Sequence, residues 1–373
     1  MIKPIDRKFA EKILSYSVEL QPDENVMIQL IGLNGISLLR ALVEKARDMG
    51  AHPFVDVVDA ETQRILLEKG DVGYWSRQAE ADQLPLMKQM HAYVGIRATQ
   101  NIYETSKVSA EANKAYAEKF LDPVHFKQRV DHTKWCIMRY PSDAFAMNAK
   151  MPTHEFEDFY YRSCLLDYAK LAADMQPLEE LLRKTREIRL HGDGTDIKFS
   201  VKGQNWIPCV GKRNIPDGEL FTSPILDSVN GVISYVPSVY QGKPFEFVKL
   251  VVKDGVVVDF DSSDNASLEQ ILNTDEGARR FGEFSFGLNP VIESPMYDIL
   301  FDEKIAGSFH FTPGQAYEEA GNGNKSQIHW DMVCIQRKDY GGGEVWFDGK
   351  LIRKNGLFTT PALKKLNPDY LGR

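Results

Sequence analysis

Cysteine is scarce: four in 373 residues, none in a C-x-x-C pair, which argues against a zinc knuckle or a dithiol redox motif. Cys136, Cys164, Cys209 and Cys334 each stand alone in an apolar stretch. They are expected to be buried free thiols of a protein in a reducing compartment, the cytoplasm. Basic charge is in deficit. Lys plus Arg number 45 against 53 Asp plus Glu, a net charge of −8. Nucleic acids and anionic membranes reward basic patches, so neither is the expected partner. No apolar run is long enough to span a bilayer, and residues 1–9 carry no apolar core of a secretory leader. Internal repeats and low-complexity tracts are also missing.

What is present is an ordinary globular composition, 43% hydrophobic and 26% charged, in a chain long enough for two domains. The first half alternates strand-like and helix-like segments. Val26 to Ile31, Phe54 to Val58, Ala92 to Ile96 and Trp135 to Met138 read as strands. Between the first two, Ser37 to Met49 carries Leu38, Leu39, Leu42 and Ala46 at helical spacing, with Gly50 as the stop. Asp6 is placed to cap a helix running to about Leu20, and a helix from about Thr153 to Ala173 is expected to leave at Met175-Gln176-Pro177. The order implies an α/β N-terminal domain, residues 1–185, with a mostly parallel sheet. Past Ile188 the texture turns to strands and tight turns. Asp254-Gly255 and Asp348-Gly349, each between strand-like runs, are two-residue hairpin signals. Residues 186–373 therefore read as a β-rich α+β domain.

The chemistry-bearing residues concentrate in that second domain. In Ile328-His329-Trp330-Asp331-Met332-Val333, apolar and polar residues alternate, so on a strand His329 and Asp331 share a face. Such a pair is half of a metal site or a surface ion pair. His310, between Phe309 and Phe311, repeats the pattern. Glu219 follows the turn Ile215-Pro216-Asp217-Gly218, and Glu283 lies in the apolar Gly282-Glu283-Phe284-Ser285-Phe286. A carboxylate in such a setting needs a cation or a proton, with Arg279 and Arg280 as alternative partners. Together these residues offer oxygen and imidazole ligands and no thiolate, a set suited to Zn, Co or Mn. The glycine-rich Gly321-Asn322-Gly323-Asn324-Lys325-Ser326 lacks the Gly-Lys-Ser/Thr of a phosphate loop and is read as a tight turn.

The stretches 214–222, Gly282-Glu283, 307–311 and 324–331, with 151–159 and Glu303-Lys304, resemble the thermophilic-type aminopeptidases of peptidase family M29. The resemblance runs through most of the chain and is sharpest between residues 214 and 333. It implies that Glu219, Glu283, His310, His329 and Asp331 hold two divalent metal ions, with Glu283 as the bridge and as a catalytic group. It also implies a catalytic tyrosine, Tyr317, seven residues after the first histidine. Peptide substrates with a free N-terminus and a homodimeric assembly follow from the same resemblance. His310 is followed by Phe-Thr-Pro-Gly where the family pattern has Ala-Leu-Gly, and the loop from Tyr317 to His329 is short; both bear on pocket shape and side-chain preference. His310, His329 and Asp331 alone would also suit mononuclear Fe(II) ring-cleaving dioxygenation. A non-catalytic metal-binding protein is the third possibility.

Overall fold

The structure is a computed structural model that describes residues 1–235, 237–240 and 243–371. The chain forms two compact units, Met1–Leu165 with Gly211–Pro216, and Leu166–Val210 with Asp217–Arg373. They divide at Leu165, earlier than the expected boundary near residue 185. The stretch read as one helix to Ala173 is in fact two, Thr153–Cys164 and Tyr168–Leu182. The Asp167 carboxylate caps the second by accepting from Lys170 N–H, and Pro177, expected to end that helix, lies inside it.

The first unit is built on five strands in the order His52–Val58, Asn25–Ile31, Ala92–Arg97, Lys134–Arg139 and Asn214–Ile215. Every pairing in this sheet is parallel. A parallel sheet needs crossovers on both faces, and the apolar faces of the strands match them. Helix Ile36–Asp48 buries Leu38, Leu39, Ala41, Leu42 and Ala46 along one stripe. On the other face Met27 and Tyr93 pack with Met87, Met90 and Val124. Asp6 is not a cap. Helix Pro4–Lys12 starts behind Lys3 with proline in its first turn, and Asp6 is fully buried, accepting from the Tyr140 and Tyr161 hydroxyls at 2.9 and 2.6 Å.

The second unit is strand-rich. An antiparallel sheet of eight strands includes both expected hairpins, Val248–Lys253 with Val256–Ser262 and Gly343–Phe347 with Lys350–Lys354. Asp254 and Gly255 have φ of 49° and 78°, and Asp348 and Gly349 have 47° and 78°. Positive φ at both central positions is what a type I′ turn demands, and Asp-Gly supplies it at low cost. A separate antiparallel sheet of five runs in the order Val333–Ile335, Ser308–Pro313, Phe281–Gly287, Glu219–Thr222 and Ile207–Cys209. One face of it presents Leu220, Phe284, Phe286, Phe309 and Phe311, all buried. Period-two alternation therefore sends the polar residues between them to the opposite face.

Candidate metal centre

That opposite face gathers the predicted ligands. Antiparallel register sets Ser285 beside both His310 and Phe221, and Gly287 beside Glu219. Glu219, Glu283 and His310 are 7%, 5% and 0% exposed, so none of the three is a surface residue. The alternative partners are taken elsewhere: Arg279 reaches Asn273 and the Val257 carbonyl, and Arg280 pairs with Asp227. His329 and Asp331 are also brought in, but not by a continuous strand. Only His329 makes a bridge, to Gly314, and regular pairing resumes at Val333. The chain is extended enough to keep the two side chains together, with Nε2 and Oδ1 3.1 Å apart.

The five groups interlock. His310 Nε2 lies 2.9 Å from Glu283 Oε1 and 3.4 Å from Glu219 Oε2, and His329 Nε2 lies 3.8 Å from Glu283 Oε2. Their ligand atoms fall into two triads that share one residue, Glu219–Glu283–His310 and Glu283–His329–Asp331, each within 4.8 Å. Neighbouring groups orient them. Ser285 donates to Glu219 Oε2 at 3.2 Å, and Thr312 to Asp331 Oδ1 at 2.6 Å. His310 Nδ1 faces the Glu303 carbonyl at 3.2 Å and His329 Nδ1 the Gln315 carbonyl at 2.8 Å. A carbonyl only accepts, so both Nδ1 atoms carry protons and both Nε2 atoms point at the carboxylates, the arrangement that prepares imidazoles for a metal. Gly282 makes room for this: a Cβ there would sit 2.3 Å from the Gln315 carbonyl oxygen.

Electrostatics describe a site short of positive charge. Burial, and then Asp331, raise Glu283 above the usual carboxylate range even though His310 pulls the other way. Burial opposes charge on both imidazoles, yet Glu283 raises His310, and Asp331 lifts His329 to about 10. Asp331 is in turn lowered by His329 against the effect of burial. The carboxylates thus favour the charged form of both imidazoles. Glu283 Oε2 is buried and has no hydrogen-bond partner, a costly state for a carboxylate oxygen unless a cation or proton is supplied. The donor set, five oxygen and imidazole side chains around that orphaned oxygen, fits divalent metal ions.

Tyr317 lies at the edge of this group. Its ring centroid is 4.8 Å from that of His329 and 6.0 Å from Phe221, and the residue is 52% exposed. Sequence reasoning missed Lys304 as a component. It is 0% exposed, with Nζ 3.5 Å from Glu219 Oε1 and paired to Glu303 on its other side. A lysine in the tripeptide Glu303-Lys304-Ile305 carries no burial signal of its own. Cys209 also departs from expectation. It and Cys334 are only partly buried, while Cys136 and Cys164 are fully so. Cys209 pairs in register with Glu219 and forms a third close group with Asp217 and Glu219.

Fold, ligand face and donor chemistry suit a metal-dependent protein, and sequence comparison gives the family. Residues 5–358 match the family described as thermophilic metalloprotease (M29), and the chain belongs to it. Aminopeptidase 2 of Geobacillus stearothermophilus is 41% identical over 110 residues, 28% of this chain and 26% of that protein. Aminopeptidase T of Thermus aquaticus is 30% identical over 196 residues, 45% of this chain and 46% of that one. These matches span between a quarter and half of the relatives' length. Among solved structures, wild-type AmpT from Thermus thermophilus superposes with a TM-score of 0.78 at 22% identity, covering 95% of this chain and 99% of that one. A 2,5-dihydroxypyridine dioxygenase from Pseudomonas putida KT2440 shares the fold more loosely, with a TM-score of 0.58 at 14% identity over 96% of this chain.

Proposed function

We propose that this protein is a metallo-aminopeptidase that removes the N-terminal residue from peptides with a free amine. Two divalent ions, Zn, Co or Mn, would be held by Glu219, Glu283 and His310 on one side and by Glu283, His329 and Asp331 on the other. The observation that carries this reading is the sharing of Glu283 between two ligand triads, with its Oε2 buried and without a hydrogen bond. Such ions, when bound, supply Lewis acidity for the scissile carbonyl and a more acidic water.

The chain's own residues account for the rest. A free α-amine would be held by one of the carboxylates of this group or by a bound ion, which would make the enzyme an exopeptidase. Glu283 reaches both imidazoles, His310 Nε2 at Oε1 and His329 Nε2 at Oε2, and so ties the two ligand groups together. Ser285 and Thr312 keep Glu219 and Asp331 from rotating. Tyr317, set against the His329 ring, would donate its hydroxyl to the oxyanion that develops on the substrate carbonyl. Cytoplasmic location and homodimeric assembly belong to the same proposal.

The dioxygenase alternative needs His310, His329 and Asp331 as one triad. Among the described residues the close groups divide those three between two clusters, and Glu219 and Glu283 complete them. That grouping supports hydrolysis. The deciding experiment measures metal per chain alongside turnover of an aminoacyl-anilide and its N-acetylated form. Two equivalents and cleavage of the free-amine substrate alone are expected. One equivalent of iron with dioxygen uptake, or equal cleavage of both substrates, would exclude the proposal.

A further inference from the structure

The first unit holds a group of cationic donors that plays no part in the metal centre. On strand Ala92–Arg97, Tyr93, Gly95 and Arg97 share a face, flanked in register by Met27 and Gln29 on one side and by Trp135 and Ile137 on the other. Arg129, from the π-helical segment Ala117–Val130, lies over that face. Its Cζ is 4.6 Å from the Trp135 ring and 5.1 Å from the Tyr93 ring. Arg129 is 6% exposed, yet its Nε and Nη1 have no hydrogen-bond partner, and neither do Arg97 Nη1 and Trp135 Nε1.

Four buried donor atoms without acceptors, two residues of them cationic, are costly to keep desolvated. The neighbouring acceptors are engaged. The Tyr93 hydroxyl accepts from Arg97 Nη2 at 3.1 Å and donates to Gln29 Oε1 at 2.7 Å, while Gln29 Nε2 donates to Asp56 Oδ2 at 2.8 Å. Arg213 adds a further charge, its Cζ 5.3 Å from the Trp135 ring. Arg129 is pushed down to about 10 by burial and by Arg97 and Arg213, with Tyr93 opposing, and no carboxylate offsets it. His125, 6.0 Å from the Tyr93 ring, is held down to about 3 by burial and by the same two arginines, Arg129 and Arg97. Positive potential from Arg97 and Arg129 is concentrated here.

We propose that Arg97, Arg129 and the indole N–H of Trp135 bind a tetrahedral oxyanion of the phosphate type, free or carried on an ester. Guanidinium forks match such oxygens bidentately, and donors directed from two planes suit a tetrahedral group. Trp135, Ile137 and Arg97 are half-buried and Arg213 is exposed, which leaves a way in from solvent. The site is independent of the peptidase reading.

Isothermal titration of the full, metal-loaded chain with sodium phosphate and with adenosine monophosphate, each against sodium chloride at matched ionic strength, tests it. Divalent ions also bind phosphate, so the informative quantity is the difference between wild type and variants. Arg129→Gln, Arg97→Gln and Trp135→Phe should each weaken a saturable binding event, the arginine changes by about tenfold or more, as loss of a charge-assisted hydrogen bond implies. Preference for phosphate marks a free anion, and tighter binding of the monophosphate marks an ester; both support the site. Arg97 is half-buried, so its variant tests the proposal even if Arg129→Gln fails to fold. No binding event beyond chloride, or equal affinities in Arg97→Gln, Trp135→Phe and wild type, would overturn it.

Discussion

Glu283 is the residue on which the proposed chemistry converges, because both imidazoles and both triads meet at its carboxylate. Glu283→Gln keeps the shape and removes the charge. Metal content should fall toward one equivalent or less and peptide hydrolysis should be lost, while the circular dichroism of the first unit is unchanged; a variant with two metals and normal turnover would release Glu283 from the site. Tyr317→Phe asks a different question. The ring that packs on His329 stays and only the hydroxyl goes, so KM and metal content should barely move. Loss of one oxyanion donor costs about 100- to 1,000-fold in kcat, about 2.7–4 kcal/mol. A less stable variant with kcat retained would assign the tyrosine to packing. Lys304 is a case of burial rather than catalysis. It is a fully buried cation between Glu219 and Glu303, and removing one partner of such a pair typically costs about 3–5 kcal/mol. Lys304→Met should therefore lower the urea midpoint of the second unit substantially, and an unchanged midpoint would mean that the carboxylates are neutralised by other means.

Segment Ala117–Val130 shows how one element can carry both packing and a pH response. Val124 and Phe120 join the apolar cluster under the parallel sheet, and His125 lies between the rings of Tyr93 and Phe120 and the charges of Arg129 and Arg97. Its folded-state pKa, near 3, is below the ordinary value of 6.5. The folded state therefore binds fewer protons than the unfolded chain between those values. The stability contributed by neutral His125 is complete above pH 6.5 and is lost as pH falls toward 3. Each unit of pH in that window costs up to about 1.4 kcal/mol. Urea denaturation of wild type and His125→Gln between pH 7 and 5, in buffers without phosphate, should show a steeper acid loss in the wild type. Parallel profiles would show the imidazole to be solvated in the folded chain.

If the proposed ions bind at the buried carboxylates, metal binding and folding are coupled. Ligands that bind the native state alone stabilise it by mass action, about 2.7 kcal/mol at a hundredfold excess over Kd. Chelation should therefore lower the thermal midpoint of the strand-rich unit and leave that of the parallel-sheet unit in place. Differential scanning calorimetry with and without EDTA reads this directly. Coincident transitions unmoved by chelation would argue that no metal contributes to the fold. Among the described residues no helix is long and apolar enough to cross a membrane.

Much of this molecule is legible in local pattern. Strand-length apolar runs foretell four of the five parallel strands to within a residue or two, because alternation and turn chemistry are properties of adjacent residues, while Asn214–Ile215 reaches the sheet from far along the chain. Asp254-Gly255 and Asp348-Gly349 specify their turns by the φ values they tolerate. Glu219, Glu283, His310, His329 and Asp331 stand out as polar residues in apolar surroundings, and family resemblance orders them. Other features depend on contacts that sequence neighbours do not report. The position of Asp6 under two tyrosines, the break after Cys164 and the irregular pairing between His329 and Val333 are set by what packs against them. Lys304 and Arg129 read as surface cations in the sequence. Only tertiary structure buries them, beside Glu219 in one case and over Trp135 in the other, because burial is decided by chain segments distant along the sequence that close around a side chain. The sharing of Glu283 between two ligand triads is of the same kind: it arises from the register of antiparallel strands, a relation between segments that no single segment encodes.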